Sequence, residues 1–289
     1  MHFRDGLHAP ADVGSGDDGR DQRFASVPGG TNVSRARYVV GAMTRIHSSL
    51  HKCLTMYYMR VMGALYNRGR PGFPRYKHYA ARQDEFYANL HRHRIVSANG
   101  FAVDIGRLPD DFRIVRFVRD PRDLVVSGYL YHRRGAEPWF RTISPTAEYW
   151  APIAGHVPEG MPAGVSFAEY LQGLSVEQGL LAEIEFREHH LESLRQWPSD
   201  DRIRLFKYEQ IIGREREVFG EIFSFYELPW YERRAGMWLA YRYSALRRHS
   251  DRHLRDPRPG QWRDYFTRSV SEAFERKHGD LLDRLEYRP

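Results

Sequence analysis

The run Phe112-Arg-Ile-Val-Arg-Phe-Val-Arg119 passes directly into Asp120-Pro-Arg-Asp-Leu-Val-Val-Ser127. Its first half has the apolar character of a buried strand, whereas Asp120 is a favoured N-cap residue and Pro121 suits the first position of a helix. A strand must therefore end, and a helix begin, at this junction. Arg119 is left at the carboxyl end of a parallel strand, which is where ligands of open α/β sheets bind.

Strand-like and helix-like patterns alternate along the rest of the chain, which predicts an α/β domain built on parallel strands. The predicted strands cover residues 45–50, 94–97, 112–118 and 202–206. The predicted helices cover residues 54–67, 121–131, 167–197, 209–226 and 270–285. The longest of them follows Ser166-Phe-Ala-Glu169, the sequence of a capping box.

The composition indicates a folded protein, because 42% of its 289 residues are hydrophobic and 14% are aromatic. Residues 1–35 are rich in Gly, Asp, Ser and Arg without an apolar period, so we expect a disordered tail followed by a single domain over 36–289. The single cysteine, Cys53, excludes an internal disulfide framework. We find no secretory signal and no apolar run that could span a membrane, and therefore expect a cytoplasmic protein.

The net charge of +7 should attract anions, either a polyanionic nucleotide or a nucleic acid. The basic residues are dispersed along the chain and no RNA or DNA motif is present, so we do not expect a nucleic-acid partner. His78, His91 and His93 lie beside arginines in the sequence, which favours a basic surface turn over a metal site.

The first candidate phosphate site is the segment Ser48-Ser-Leu-His-Lys52-Cys-Leu-Thr55-Met-Tyr57, where a strand, a short turn and a helix meet. Free backbone N–H groups at the helix start, the positive helix end and the Lys52 ammonium would converge on one anion. The Thr55 hydroxyl can donate a further hydrogen bond. The segment lacks the glycines of a GxxxxGK[ST] loop, and a solvated Lys52 is the alternative interpretation.

The second candidate phosphate site is the Arg119 junction itself. Ser127 follows Arg119 by eight residues, about two helical turns, so a guanidinium and a hydroxyl could reach one phosphate from neighbouring elements. The alternative is a structural Arg119 paired with Asp123, together with a serine that is merely tolerated on a helix face.

Together these segments resemble the family of sulfotransferases that use 3'-phosphoadenosine 5'-phosphosulfate (PAPS). Lys52 to Tyr57 is similar to the family's 5'-phosphosulfate loop, usually PKSGTTW, and the segment from Arg119 to Ser127 is similar to its 3'-phosphate motif. Phe206-Lys-Tyr-Glu209 resembles the family's YE(D) segment. The segment from Arg255 to Thr267 resembles its carboxyl-terminal RxGxxGxWxxxFT loop.

The resemblance implies a fold, a reaction and a set of binding residues. The fold would be a P-loop NTPase-like, three-layer α/β/α domain around a central, mostly parallel sheet. The reaction would be in-line transfer of a sulfuryl group from PAPS to a hydroxyl of a carbohydrate, a lipid or a small natural product, with release of 3'-phosphoadenosine 5'-phosphate (PAP). A metal is not required, because PAPS has no adjacent polyphosphate to be bridged.

By the same resemblance, Lys52 would stabilise charge on the leaving group, Arg119 and Ser127 would hold the 3'-phosphate, and Tyr208 would contact adenine. Arg255, Arg258 and Gly260 would close over the 3'-phosphate. The full set of expected donor-binding residues is His51, Lys52, Cys53, Leu54, Thr55, Met56, Arg119, Ser127, Tyr208, Arg255, Arg258, Pro259 and Gly260.

The first departure from the family pattern lies in the phosphosulfate loop. Leu54 stands where the family commonly has Gly, and Met56 where it has a second Thr, so either the backbone tolerates a Cβ there or donor affinity is weakened. Cys53 lies beside Lys52 at a helix start, which predicts a stabilised thiolate whose alkylation would inactivate an enzyme.

The second departure concerns the general base. Residues 97–109 lack the histidine that many relatives place before the Arg119 motif. A carboxylate can replace it, and Asp104 is our first candidate, followed by His132, with Glu85 and Glu137 also considered. Two rival functions stay open: a kinase-like P-loop enzyme, which would need a full glycine-rich loop, and a non-catalytic nucleotide-binding member of the family.

Overall fold

The computed structural model describes residues 43–68, 75–80, 82–244 and 256–288. Five strands form one sheet, and every neighbouring pair in it is parallel. The strand order is β2-β3-β1-β4-β5. The strands are β1 (Thr44–Ser49), β2 (Tyr76–Ala80), β3 (Ile95–Asn99), β4 (Phe112–Val118) and β5 (Ile203–Lys207).

Twelve α-helices are found in the described residues, joined in places by short 3-10 turns. They are α1 (Thr55–Tyr66), α2 (Gln83–Asn89), α3 (Pro121–His132), α4 (Ala147–Trp150), α5 (Phe167–Gly173), α6 (Val176–Phe186), α7 (Glu188–Arg195), α8 (Tyr208–Ile211), α9 (Glu215–Phe225), α10 (Trp230–Arg242), α11 (Trp262–Tyr265) and α12 (Arg268–Arg284). None of these helices is long and apolar enough to cross a bilayer.

The sheet is covered by helices on both faces. Along β4, Phe112 and Ile114 belong to one buried apolar cluster, whereas Val115 and Phe117 belong to the other, as the two-residue period of a strand requires. The first cluster includes Phe86 of α2, and the second includes residues of α1, α3, α6, α9 and α12. The expected three-layer α/β/α fold with a parallel, P-loop NTPase-like sheet is confirmed.

The strand order reverses around β1, which lies between β3 and β4. The register pairs Ser49 of β1 with Phe117 of β4, so these two strands end at the same edge of the sheet. Ligands of doubly wound sheets bind at such a point. The fold therefore brings together the two segments that follow β1 and β4, which are the two candidate phosphate sites.

All four predicted strands are present, but β2 was missed. Its sequence, Tyr76-Lys-His-Tyr-Ala80, lies at the edge of the sheet with only Tyr76 and Tyr79 buried, so it lacks the apolar run of a central strand. The capping box at Ser166 is confirmed.

Two predicted helices were wrong in extent. The helix predicted over 167–197 is divided into three, because Ser175 caps a new helix with Gln178 and Arg187 begins another. The helix predicted over 209–226 is interrupted at Gly213, whose φ of 86° lies in the left-handed region that favours glycine.

The described residues all belong to one compact unit, which extends over Tyr38–Pro289. The predicted tail, 1–35, lies outside the described residues. The expected domain boundary near residue 36 stays a prediction.

Candidate active site

The Lys52 turn, residues 50–54, connects β1 to α1 and has an unusual backbone. Lys52 has a φ of 75° and Leu54 a φ of 61°, so two residues with side chains adopt the left-handed conformation. Leu54 is the N-cap of α1, and no side chain caps this helix or places an acidic group in its first turn. The first N–H groups of α1 are therefore left for an anion.

The hydroxyl of Thr55 stabilises the turn from inside. Its Oγ1 lies 2.8 Å from Ser49 Oγ and donates to the carbonyl of Leu50 at 3.1 Å. The backbone N–H of Cys53 also donates to the Leu50 carbonyl, at 3.1 Å. These contacts hold the end of β1 against the start of α1, so the left-handed backbone is fixed by its surroundings.

The ammonium of Lys52 lies 4.0 Å from the centre of the Tyr131 ring and is surrounded by other cations. Burial lowers the pKa of Lys52 to about 8, and Arg187, Arg134 and Arg119 act in the same direction while Glu137 opposes them. Three arginines and one lysine therefore share a small region with Glu137, and Asp123 and Glu183 pair with two of the arginines. Such a region is suited to a ligand with several negative charges.

The Arg119 junction, residues 119–123, connects β4 to α3 as the sequence predicted. The Asp120 side chain accepts from the backbone N–H of Arg122, and Pro121 begins the helix. The same carboxylate accepts from the Arg122 guanidinium at 3.0 and 2.7 Å. Glu209 accepts from the Asp120 N–H at 3.0 Å, which ties α8 to this junction.

Arg119 is buried at the centre of three converging segments. Its guanidinium lies 4.3 Å from the centre of the Tyr208 ring and 3.5 Å from the Asp123 carboxylate, while its Nε has no hydrogen-bond partner. The Asp123 carboxylate accepts from the backbone N–H of Gly260 at 2.7 Å and of Trp262 at 2.8 Å. Arg119 is thus paired with Asp123, as one interpretation held, yet it keeps donor capacity for a ligand.

The carboxyl-terminal segment contacts the same region. Tyr208 donates from Oη to the carbonyl of Pro257 at 2.9 Å, and Gly260 has a φ of 80° that suits glycine. Arg258 is exposed and directs its guanidinium to Asp256 at 2.8 Å, and Pro259 is exposed beside it. The predicted residue Arg255 lies outside the described residues.

Ser127 lies on α3 and is half-buried. No hydrogen bond joins its hydroxyl to another residue of the described chain. Arg119 therefore contacts Tyr208, is joined to Gly260 through Asp123, and interacts electrostatically with Lys52. The Ser127 hydroxyl is available for a ligand.

The four candidate bases lie in different places. Asp104 is exposed and caps a 3-10 turn by accepting from the Gly106 N–H at 2.9 Å, and Glu85 is exposed and paired with Arg82 at 3.2 Å. Glu137 is half-buried and accepts from Tyr131 Oη at 2.9 Å. Since Glu137 and Tyr131 both act on Lys52, Glu137 lies in the cationic region.

His132 is fully buried and belongs to an ionic network that the sequence analysis missed. Its Nδ1 lies 2.8 Å from Glu183 Oε2, and the other oxygen of Glu183 accepts from Arg187 Nε at 2.6 Å. Burial lowers the pKa of His132, and Arg187 and Lys52 reinforce this, so the imidazole is neutral. The ring stacks against His51 with centroids 5.8 Å apart, which connects the network to the Lys52 turn.

Glu183 and Arg187 were overlooked because a Glu and an Arg four residues apart are usually a solvated pair on a helix surface. The only available signal was Gly128, directly after Ser127. A Cβ on Gly128 would lie 2.1 Å from Glu183 Oε1 and 2.2 Å from an Arg187 nitrogen, so a side chain here would displace this buried pair.

The predicted reactive thiolate at Cys53 was wrong. Cys53 is buried, and burial raises its pKa to about 12 despite the opposing effect of Arg119 and Arg187. The apolar surroundings therefore outweigh the nearby positive charge.

Of the three histidines considered for a metal site, His93 contacts Tyr79, whose Oη lies 3.0 Å from His93 Nε2. The described residues contain no group of three side chains suited to a metal ion.

Comparison with solved structures gives neighbours of low sequence identity. Mouse sulfotransferase SULT7A1 complexed with PAP is 16% identical, with a TM-score of 0.46 over 85% of this chain and 89% of that one. Retinol dehydratase in a complex with retinol and PAP is 14% identical, with a TM-score of 0.43 over 83% and 82% of the two chains. The complex of retinol dehydratase with androsterone and inactive cofactor PAP is 14% identical, with a TM-score of 0.41 over 83% of this chain and 81% of that one.

No curated protein matches the chain. The sulfotransferase domain family, in contrast, matches residues 50–285, a range that includes the Lys52 turn, the Arg119 junction and the carboxyl-terminal segment. By this match over most of its length, the chain belongs to the sulfotransferase domain family.

Proposed function

We propose that the protein transfers a sulfuryl group from PAPS to a hydroxyl of an acceptor, and that the Lys52 turn and the Arg119 junction together bind the donor. The observation that carries this proposal is the convergence at Asp123. Its carboxylate contacts Arg119 and accepts from the backbone of Gly260 and Trp262, while Arg119 packs on Tyr208 and acts on Lys52. Three of the four motifs that suggested the family therefore meet at the pair formed by Arg119 and Asp123.

The chemistry of these residues suits a nucleotide with two separate phosphates. The uncapped start of α1 and the Lys52 ammonium fit the 5'-phosphosulfate. The free Nε of Arg119 and the hydroxyl of Ser127 fit the 3'-phosphate. A ligand with several negative charges would raise the lowered pKa of Lys52, so Lys52 would be fully protonated when the donor is bound.

In the transfer step, the acceptor oxygen attacks sulfur while the bond between sulfur and the 5'-phosphate oxygen breaks. The negative charge that develops on the departing phosphate is stabilised by Lys52. Glu137 is our proposed general base, because it is a partly exposed carboxylate that acts on Lys52. It would accept the proton that the acceptor hydroxyl loses.

Donor binding is tested by titration calorimetry with PAP. We expect PAP to bind without Mg²⁺, and ATP to bind more weakly even with Mg²⁺. Tighter binding of ATP with Mg²⁺ than of PAP would favour the kinase-like alternative. Labelled PAPS, offered with a panel of carbohydrate, lipid and small natural-product hydroxyls, tests transfer. Binding of PAP without transfer to any of them would favour the non-catalytic alternative.

The role of Glu137 is tested by Glu137→Gln. We expect transfer to fall about 10²- to 10⁴-fold, because a positioned base contributes that much, while PAP affinity changes little. Glu148→Gln, an exposed glutamate on α4, is the matched control and should transfer normally. If Asp104→Asn abolishes transfer and Glu137→Gln does not, Asp104 is the base.

A further inference from the structure

We propose that the exposed face of α10 binds the surface of an anionic lipid bilayer. This α10 face consists of Trp230, Tyr231, Arg234, Trp238 and Tyr241. Trp230 is 70% exposed, Tyr231 57%, Trp238 60% and Tyr241 43%. Among the described residues only nine large hydrophobic side chains are exposed, and these four lie on one helix of thirteen residues.

The spacing places these side chains on one side of the helix. Trp230, Arg234, Trp238 and Tyr241 follow one another at intervals of four, four and three residues, which is the pattern of a single helical stripe. The stripe is about 16 Å long, since each helical residue rises 1.5 Å. Its aromatic rings can therefore reach one flat surface at the same time.

A groove beside the stripe is basic as well as apolar. It has a volume of about 260 Å³ and is lined by Arg216 of α9 together with Arg234, Met237, Trp238 and Tyr241. Neither Arg216 nor Arg234 forms a hydrogen bond or ion pair with another described residue. The two guanidinium groups are thus free to contact an anion outside the protein.

The acidic group of α10 points the other way. Glu232, the single acidic residue of this helix, is nearly buried and accepts from Tyr66 Oη at 2.6 Å and from Arg94 Nε at 3.0 Å. The α10 face therefore presents aromatic rings and positive charge without a carboxylate of its own.

These properties favour an anionic bilayer as the occupant. Trp and Tyr are the side chains that settle at the boundary between lipid and water, and arginines near an anionic surface each add about 1 kcal/mol of attraction. A second copy of this chain is disfavoured, because two such faces would bring arginines against arginines. The inference does not depend on the proposed function, since it concerns a different surface.

The test is flotation of the full-length protein with vesicles. We expect the protein to float with vesicles of phosphatidylcholine and phosphatidylglycerol, and to float far less with phosphatidylcholine alone or at high salt. In Arg216→Gln/Arg234→Gln the affinity should fall about thirtyfold or more, from two lost contacts of about 1 kcal/mol each. In Trp230→Ala/Trp238→Ala it should fall about tenfold or more.

The matched control is Ile143→Ala/Tyr149→Ala, which removes two exposed hydrophobic side chains elsewhere and should float like the wild type. Unchanged thermal unfolding identifies variants that are folded. The proposal is overturned if the wild type does not distinguish the two vesicle types, or if the tryptophan variant floats normally. It is also overturned if the wild type is a dimer by light scattering that the tryptophan variant converts to a monomer, since a second copy would then cover the face.

Discussion

The Lys52 turn and the Arg119 junction follow neighbouring parallel strands, but they are stabilised in different ways. At the Arg119 junction, Asp120 caps α3 and Pro121 begins it. The carboxylates of Glu209 and Asp123 accept hydrogen bonds from the backbone N–H groups nearby. At the Lys52 turn, two residues adopt left-handed backbone and the cation lies among other cations. One site is made rigid by hydrogen bonds, and the other stores unfavourable backbone and charge interactions that a bound anion can relieve.

The largest effect should come from removing Asp123. Asp123→Ala leaves the N–H groups of Gly260 and Trp262 and the buried Arg119 without their acceptor. We expect the free energy of unfolding to fall by about 3–5 kcal/mol, the usual cost of breaking a buried ion pair from one side. Denaturant titration measures this.

Asp280→Ala is the control for Asp123→Ala, because Asp280 pairs with Arg195 at the surface. It should change the free energy of unfolding by about 1 kcal/mol or less. Equal losses in the two variants would mean that the Arg119 junction is no more rigid than an ordinary surface pair.

The second prediction is that removing the cation at Lys52 raises the stability of the protein, whereas removing Asp123 lowers it. The folded state lowers the pKa of this ammonium from 10.5 to about 8, so between these values the unfolded chain binds more protons and stability rises with pH. In Lys52→Met that increment is absent. We expect the variant to be more stable than the wild type at pH 7, by up to about 3 kcal/mol, and the difference to shrink as the pH approaches 10.5.

Denaturant titrations of wild type and variant over this pH range give the difference directly, and other titrating groups cancel. Lys277→Met, at an exposed lysine of α12, is the control for replacing a lysine by methionine. In the transfer assay Lys52→Met should lose about 10²- to 10³-fold. A variant that is less stable at pH 7 would mean that the cation helps to hold the turn together.

The comparison also shows what the sequence could predict. The Arg119 junction was predicted down to its N-cap, because Asp120 and Pro121 act through their immediate neighbours. The sheet was predicted for four of its five strands, including β5 at one edge, because their apolar residues are local signals. The ionic network of Glu183, Arg187 and His132 was missed, because burial of such residues depends on which helices pack together.

The general base illustrates the same limit. Asp104 was preferred because it precedes the Arg119 junction in the sequence, where many relatives have a histidine, yet it caps an exposed turn. The position of Glu137 beside Tyr131 and Lys52 arises from folding of the segment after α3 and has no sequence pattern. Its role and the donor-binding roles of the other residues stay predictions.

The third and smallest effect concerns Leu54. The structure shows that the backbone tolerates a Cβ where the family commonly has Gly, at a conformational cost of about 1–2 kcal/mol. Leu54→Gly removes this cost while losing some apolar contact. Leu65→Gly in α1 loses similar contact and also about 1 kcal/mol of helix propensity.

We therefore expect Leu54→Gly to be more stable than Leu65→Gly by about 2 kcal/mol or more in denaturant titration. PAP affinity of Leu54→Gly should stay within about threefold of wild type, because the turn keeps its shape. If both variants lose the same stability, the left-handed backbone at Leu54 is not strained.

The absence of a side chain at Gly128 has a consequence for variation of this protein. Helices α3 and α6 pack against each other, and the Glu183 carboxylate and the Arg187 guanidinium occupy the space where a side chain at position 128 would lie. Any replacement would have to displace this buried carboxylate and guanidinium, and with them the partner of His132. In a library containing every amino acid at each position, 128 should therefore be among the least permissive sites, even though glycine itself performs no chemistry.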